Sequence, residues 1–140
     1  SYFGDQVVVD ESGTIVRFEE RLLLISAQIS ITDSVSWIKT HGGLAIPSHI
    51  DSPTFSVISQ LGFVPPDIPF DALEVRNKDN LAEILPFIMR KDVPMVSFSD
   101  AHYINDIGKR RTFLQLETPT CLEISNALKN LEDTAGRKRE

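Results

Sequence analysis

The sequence predicts an α/β protein with a mostly parallel sheet, preceded by an N-terminal β-hairpin. Between residues 22 and 131, short apolar runs typical of strands alternate with amphipathic runs typical of helices. Before them, QVVVDESGTIVRF (6–18) places two apolar runs around the turn residues ESGT (11–14), which indicates a hairpin within residues 1–20. Residues 1–131 are therefore expected to form the folded part, and the polar tail 132–140 is expected to be disordered.

Composition limits the classes of function. The chain has 140 residues, of which 41% are hydrophobic and 24% charged, which suits one globular domain. A net charge of −6 argues against a large nucleic-acid interface. There is no apolar run of about 18 residues or more, so a membrane-spanning helix is not expected. The single cysteine, Cys121, excludes an internal disulfide and suits a reducing, cytoplasmic compartment.

Local signals predict where the helices lie. Ser30 is the expected N-cap of a first helix, with Asp33 completing a capping box and Gly42-Gly43 ending the helix. A second helix is expected to start at Ser52, which Pro53 follows. A third covers 80–91, with a break at Pro86. A fourth begins at Thr118-Pro119 and places Cys121 on its apolar face. The expected strands after the hairpin are 21–27, 44–49, 70–75, 94–99 and 112–117.

Polar residues follow two of these strands. Asp100 and His102 come directly after the strand at 94–99, and His49 ends the strand at 44–49. Residues i and i+2 of an extended chain point to the same side, so Asp100 and His102 are expected to reach one point. In parallel α/β proteins, ligands bind at the carboxyl ends of strands. A hydrogen-bonded pair and a buried histidine bonded to backbone are the alternative interpretations.

Two segments carry a family resemblance. GGLAIPSHID (42–51) and SDAH (99–102) resemble the third and fourth motifs of the polymerase and histidinol phosphatase (PHP) family. FDALEVRN (70–77) is similar to the stretch between them. Members are barrels of βα units that hold metal ions at the strand ends and hydrolyse phosphoesters. The resemblance extends over 22–130 and implies a metal-dependent phosphoesterase with part of a PHP-like (βα) barrel.

The resemblance also implies the roles of individual residues. His49, Asp100 and His102 correspond to metal ligands, for which zinc, manganese or iron(II) are suitable ions. Glu74 and Asn77 correspond to polar residues that line the cleft. Asp51, next to the third motif, fits a supporting group of the site and fits a local cap equally well. The implied substrate is a phosphorylated small molecule or a nucleotide.

The family's first motif, an H-x-D-x-H cluster, has no counterpart here, nor does the second motif. The chain is therefore expected to be the C-terminal portion of such a domain, inactive by itself and holding metal weakly. The alternative is a PHP remnant that acts as a scaffold or protein-interaction module. An uncovered sheet edge predicts a homodimer. Arg76, Lys109, Arg110 and Arg111 are candidate phosphate contacts or plain surface charges.

Overall fold

A computed structural model describes residues 4–23 and 25–131, apart from the side chain of Lys78. The strands are β1 (Val7–Val9), β2 (Ile15–Phe18), β3 (Leu73–Glu74) and β4 (Met95–Val96). The α-helices are α1 (Ile31–Thr40), α2 (Val57–Leu61), α3 (Leu81–Ile84) and α4 (Cys121–Lys129). Short 3₁₀ turns cover Lys78–Asn80, Leu85–Phe87 and Ile104–Asp106. None of the helices in these ranges is long and apolar enough to cross a membrane. The predicted tail, 132–140, lies outside the described residues.

The predicted hairpin is present. Strands β1 and β2 pair antiparallel, with Val8 opposite Arg17 and an irregularity after Val8. Gly13 takes a left-handed conformation in the turn (φ +82°), which glycine adopts without steric cost. The Asp10 carboxylate accepts the backbone N–H groups of Ser12 and Thr14, both at 2.9 Å. The turn is therefore stabilised by local hydrogen bonds.

The predicted barrel-like sheet is wrong. Across residues 4–23 and 25–131 the strands form only two separate two-stranded sheets, the hairpin and a parallel pair of β3 with β4. In the parallel pair, Leu73 lies opposite Met95 and Glu74 opposite Val96. One isolated parallel bridge joins Val64 to Ile88. These strands do not close into a PHP-like (βα) barrel or a part of one.

Side-chain competition explains why two expected strands do not join this sheet. Segment 44–49 runs beside β3, but the Ala45 N–H donates to the Asp71 carboxylate at 2.7 Å, and Pro47 has no N–H. At 112–117, the Thr112 hydroxyl takes the Ser97 N–H at 2.8 Å in place of a backbone carbonyl. Both segments therefore lack a regular ladder. Segment 21–27 is also without strand structure at its described positions.

The capping signals locate α1 correctly but not the starts of α2 and α4. Helix α4 begins at Cys121, with Thr120 as its N-cap, and not at the predicted Thr118-Pro119. The Ser30 hydroxyl caps α1 by accepting the Asp33 N–H at 3.0 Å, as predicted. The α-helical part of the third helix ends before Pro86 and continues as a 3₁₀ turn. The predicted start of α2 at Ser52 is wrong, because Phe55 takes a positive φ of +59° and Ser56 becomes the cap. Cys121 is exposed, so its predicted packing in the core is also wrong.

The core lies around β3. Its main cluster joins residues of α1, the segments on either side of β3 and the third helix: Val35, Ala45, Ile50, Val64, Ile68, Phe70, Leu73, Val75, Ile84, Ile88 and Val93. A smaller cluster of Ala72, Val96 and Leu128 attaches α4 to the other side of the sheet. The β3–β4 pair is thus short but buried, and its carboxyl ends are held in place by both clusters.

Candidate functional site

The carboxyl ends of β3 and β4 meet the predicted site residues at one edge of the parallel sheet. Segment 47–51 is attached there by two backbone hydrogen bonds, from Ile50 N–H to the Glu74 carbonyl at 2.8 Å and from Glu74 N–H to the Pro47 carbonyl at 3.2 Å. The side chains gathered at this edge are called the strand-end cluster: His49, Asp51, Glu74, Arg76 and Asp100.

His49 and Glu74 form a partly buried pair in the strand-end cluster, in which the His49 side chain is 29% exposed but its Nδ1 atom is buried. The Glu74 carboxylate is 8% exposed, and its Oε2 accepts the His49 backbone N–H at 3.2 Å. The His49 Nδ1 lies 3.7 Å from the same oxygen, too far for a hydrogen bond. Within the part of the chain that the structure describes, this buried nitrogen has no hydrogen-bond partner. His49 also has a positive φ of +29°, which is uncommon outside glycine. Both features are typical of a functional position.

Asp51 organises the exit of β3. Its Oδ1 accepts the Arg76 N–H at 2.8 Å, and its Oδ2 accepts the Asn77 N–H at 2.9 Å. The Asn77 side chain accepts the Asp79 N–H at 3.1 Å and so belongs to the following turn. The Asp51 carboxylate thus caps two successive backbone N–H groups and joins segment 47–51 to the chain that carries Arg76.

Asp100 and His102 lie in the loop after β4, but not in the extended geometry that the spacing suggested. Asp100 has a positive φ of +49°, so the argument that residues i and i+2 share a side does not hold there. Its carboxylate Oδ2 lies 3.7 Å from Nη2 of Arg76. The His102 ring, which is exposed, contacts the Asp100 carbonyl oxygen through Nδ1 at 2.8 Å. The Asp100 carboxylate therefore faces Arg76, and the imidazole contacts the backbone.

These positions do not assemble a complete metal site. Among residues 4–23 and 25–131, no group of three or more His, Cys, Asp or Glu side chains could hold a metal ion. His49 and Glu74 are the nearest pair of potential ligands, one nitrogen and one carboxylate. That donor set suits zinc, manganese or iron(II) in chemistry but is too small in number. The residues present therefore fit a part of such a site.

Of the four basic residues predicted as phosphate contacts or surface charges, the described contacts place only Arg76 in the strand-end cluster. Arg110 donates from Nε to the Phe98 carbonyl at 3.0 Å and from Nη2 to the Ser99 carbonyl at 2.8 Å, which closes the loop after β4. Lys109 pairs with Asp106 at 2.6 Å and holds the pKa of that carboxyl below its usual value. Arg111 lies over the ring of Phe113. The four basic residues were indistinguishable by sequence, and their contacts in the fold distinguish them.

The remaining histidine has a local role. His41 follows α1, and its Nδ1 contacts the Trp37 carbonyl at 2.8 Å while its ring lies against the indole.

Comparisons of the chain with protein-family models, with curated proteins and with solved structures each gave no significant match.

Proposed function

We propose that the strand-end cluster is one part of a divalent-metal site for phosphoester hydrolysis, in which His49 is a ligand. The observation that carries this proposal is the buried His49 Nδ1, which lacks a hydrogen-bond partner within the described part of the chain. Buried polar atoms are almost always satisfied by protein or ordered water. Neutral imidazole nitrogen is the commonest protein ligand for transition metals, so a ligand role accounts for this exception.

The neighbouring residues support such a role by position. Glu74 accepts the His49 main-chain N–H and so fixes the backbone that carries the imidazole. The resemblance implies Asp100 and His102 as further ligands, whereas in the described contacts Asp100 faces Arg76 and the His102 ring contacts the backbone. Asp51 accepts the N–H groups of Arg76 and Asn77 at the exit of β3. A bound metal ion would lower the pKa of a coordinated water and offset phosphoryl charge. Zinc, manganese and iron(II) match the nitrogen and oxygen donors.

The small number of ligands defines how the chain would work. Since the described residues hold no group of three potential ligands, further ones have to come from another segment or another chain. We therefore propose that these residues act as the C-terminal portion of a phosphoesterase site and have no turnover alone. The substrate class remains the one that the resemblance implies, a phosphorylated small molecule or a nucleotide.

Metal titration of the 140-residue chain tests the proposal. We expect calorimetry with manganese or zinc to show at most one weakly bound ion, and elemental analysis after dialysis to show none retained. His49→Ala should weaken binding by about 10- to 100-fold, as loss of an inner or supporting ligand usually does. His41→Ala is the matched control and should bind as the unaltered chain does. Equal affinity in the His49→Ala and His41→Ala proteins would contradict the proposal.

A second candidate function, a protein-interaction module, is favoured by the hairpin. Ile15, Val16 and Phe18 of β2 are all more than half exposed, which is unusual for apolar residues on one short strand. Such a surface, together with unpaired strand edges, suits association with another chain, including a second copy of this one. A dimer that buries the hairpin would favour this function, and it is compatible with the metal site.

A further inference from the structure

We propose that Arg76 is the phosphate-binding residue of the strand-end cluster, and that Asp100 holds its guanidinium as a counter-charge until an anion replaces it. This inference rests on the proposed function, because it names the side chain that would contact the phosphoryl group. It concerns a residue whose sequence context gave no preference between a phosphate contact and a surface charge.

Hydrogen bonds and core packing hold the backbone at Arg76 in place. Its N–H donates to Asp51, and the preceding residue, Val75, donates to the Val96 carbonyl at 2.9 Å. Val75 itself is 2% exposed and belongs to the main core cluster. The long side chain therefore starts from a rigid point at the carboxyl edge of β3. Rigid backbone attachment reduces the ordering cost when a side chain binds a ligand.

The Arg76 guanidinium, in contrast, has N–H groups that none of the described hydrogen bonds uses. The Arg76 side chain is 48% exposed, and the contact of its Nη2 with Asp100 at 3.7 Å is longer than a direct hydrogen bond. Arg90 shows the other behaviour, since it donates to Asp92 at 2.7 Å. Arg110 likewise donates to two carbonyl groups. Among the described contacts of Arg76, the guanidinium makes no hydrogen bond, so its planar N–H groups are open to a ligand.

The chemistry of that ligand follows from the geometry of the donor. A guanidinium presents parallel N–H groups that match two oxygens of a phosphate, and such bidentate pairs are among the strong charge-assisted hydrogen bonds. Asp100 opposes this binding as long as its carboxylate stays beside the guanidinium. Engagement of Asp100 elsewhere, as the proposed ligand role requires, would release Arg76. Phosphate binding and the ligand role of Asp100 would then be coupled through this one pair.

Orthophosphate titration without metal tests the pair directly. In the presence of a chelator, amide shifts of the 140-residue chain are followed by NMR as orthophosphate is added. The unaltered chain should bind weakly, with shifts at residues 49–51, 75–77 and 99–101. Asp100→Asn should tighten binding by about two- to fivefold, which is the range that corresponds to loss of an exposed ion pair. Arg76→Gln should remove saturable binding in both backgrounds.

Two further variants serve as comparisons. Arg76→Lys keeps the charge but loses the fork, and it should bind more weakly than the unaltered chain. Arg17→Gln changes a similarly exposed, ion-paired arginine of the hairpin and should have no effect. Orthophosphate binding that survives in Arg76→Gln, or that does not tighten in Asp100→Asn, would overturn the inference. No metal is present, so these outcomes are independent of the His49 titration that tests the proposed function.

Discussion

The hairpin and the β3–β4 pair show opposite relations between regular secondary structure and burial. The hairpin has the longer strands and a turn with several local hydrogen bonds, yet nearly all of its side chains are exposed. Strands β3 and β4 have two residues each, but Leu73 has no exposed surface and Val96 almost none. Local hydrogen bonding shapes the first region, whereas burial of apolar surface shapes the second. Regularity of the strands is therefore a poor guide to which region is stable.

The largest expected difference between the two regions is in the free energy of unfolding when one isoleucine in each region is truncated. Ile50 is 1% exposed in the core and Ile15 is 55% exposed in β2. We expect Ile50→Ala to lower the free energy of unfolding by about 2–5 kcal/mol, because it leaves a cavity beside β3. Ile15→Ala should change it by less than about 0.5 kcal/mol. Urea unfolding followed by circular dichroism measures both, at a protein concentration at which light scattering finds the chain monomeric. Similar losses in the two variants would show that the hairpin is packed in solution.

A smaller loss of stability is expected on substitution of Asp71, whose carboxylate connects α1 and segment 44–49 to the chain just before β3. Its carboxylate, 9% exposed, accepts from the Lys39 ammonium of α1 and from the Ala45 N–H at 2.7 Å. Asp71→Ala leaves that N–H without its acceptor, and we expect a loss of about 1–3 kcal/mol in the free energy of unfolding.

Asp10 offers the matched control in the hairpin, since it also accepts backbone N–H groups but is exposed. Asp10→Ala should leave the main unfolding midpoint in place. A midpoint that shifts equally in both variants would mean that the hairpin turn is part of the cooperative unit.

The same difference explains what the sequence could predict. The hairpin, the N-cap at Ser30 and the break at Pro86 were predictable because each depends on residues close in the chain. The strands at 44–49 and 112–117 were not, because Asp71 and Thr112 occupy hydrogen-bonding groups from positions far along the chain. The predicted start of α2 at Ser52 was wrong because Phe55 takes a positive φ, which no local signal predicts.

The alternation of apolar and amphipathic segments predicts that His49 and Asp100 each follow a strand. Asp100 does follow β4, whereas His49 does not follow a strand, because segment 44–49 forms none. The alternation does not reveal that Asp100 leaves the extended conformation and faces Arg76. Nor does it reveal the orientation of the His49 ring, whose Nδ1 is buried beside Glu74. Both are tertiary properties, set by loop backbone and by neighbours distant in sequence.

We also expect the chain to associate through the hairpin, and we expect substitutions there to change the affinity of this association moderately. The exposed apolar side chains of β2 and the unpaired edges of the hairpin lead us to expect a homodimer at micromolar concentration. Val16→Lys should weaken this dimer severalfold, because a charge would be placed on the strand that associates. Leu122→Lys, at a similarly exposed position on α4, is the control and should leave the dimer intact. Light scattering that finds a monomer at high concentration would contradict the expectation.

The smallest effect concerns acid and should reach the hairpin before the buried sheet. The Glu19 carboxylate accepts from Nε of Arg21 at 2.7 Å and from Nη1 of Arg17 at 2.6 Å. These two guanidinium groups, Arg21 first, hold the pKa of Glu19 well below its ordinary value of 4.5. Hydrogen bonds from Ser12 and Thr14 lower the pKa of Asp10 in the same direction.

The pKa values of the two carboxyl groups are lower in the folded hairpin than in the unfolded one. The ionised carboxylates therefore stabilise the hairpin at pH values above their ordinary pKa values. That contribution is lost as the pH falls below about 4.5 for Glu19 and below about 3.8 for Asp10, toward the lowered pKa values. We therefore expect hydrogen exchange at residues 7–18, corrected for the intrinsic effect of pH, to lose protection on acidification before residues 72–75 do. Glu19→Gln should reduce this pH dependence and leave only the part due to Asp10. Loss of protection in both regions at the same pH would show that the hairpin and the buried sheet unfold as one unit.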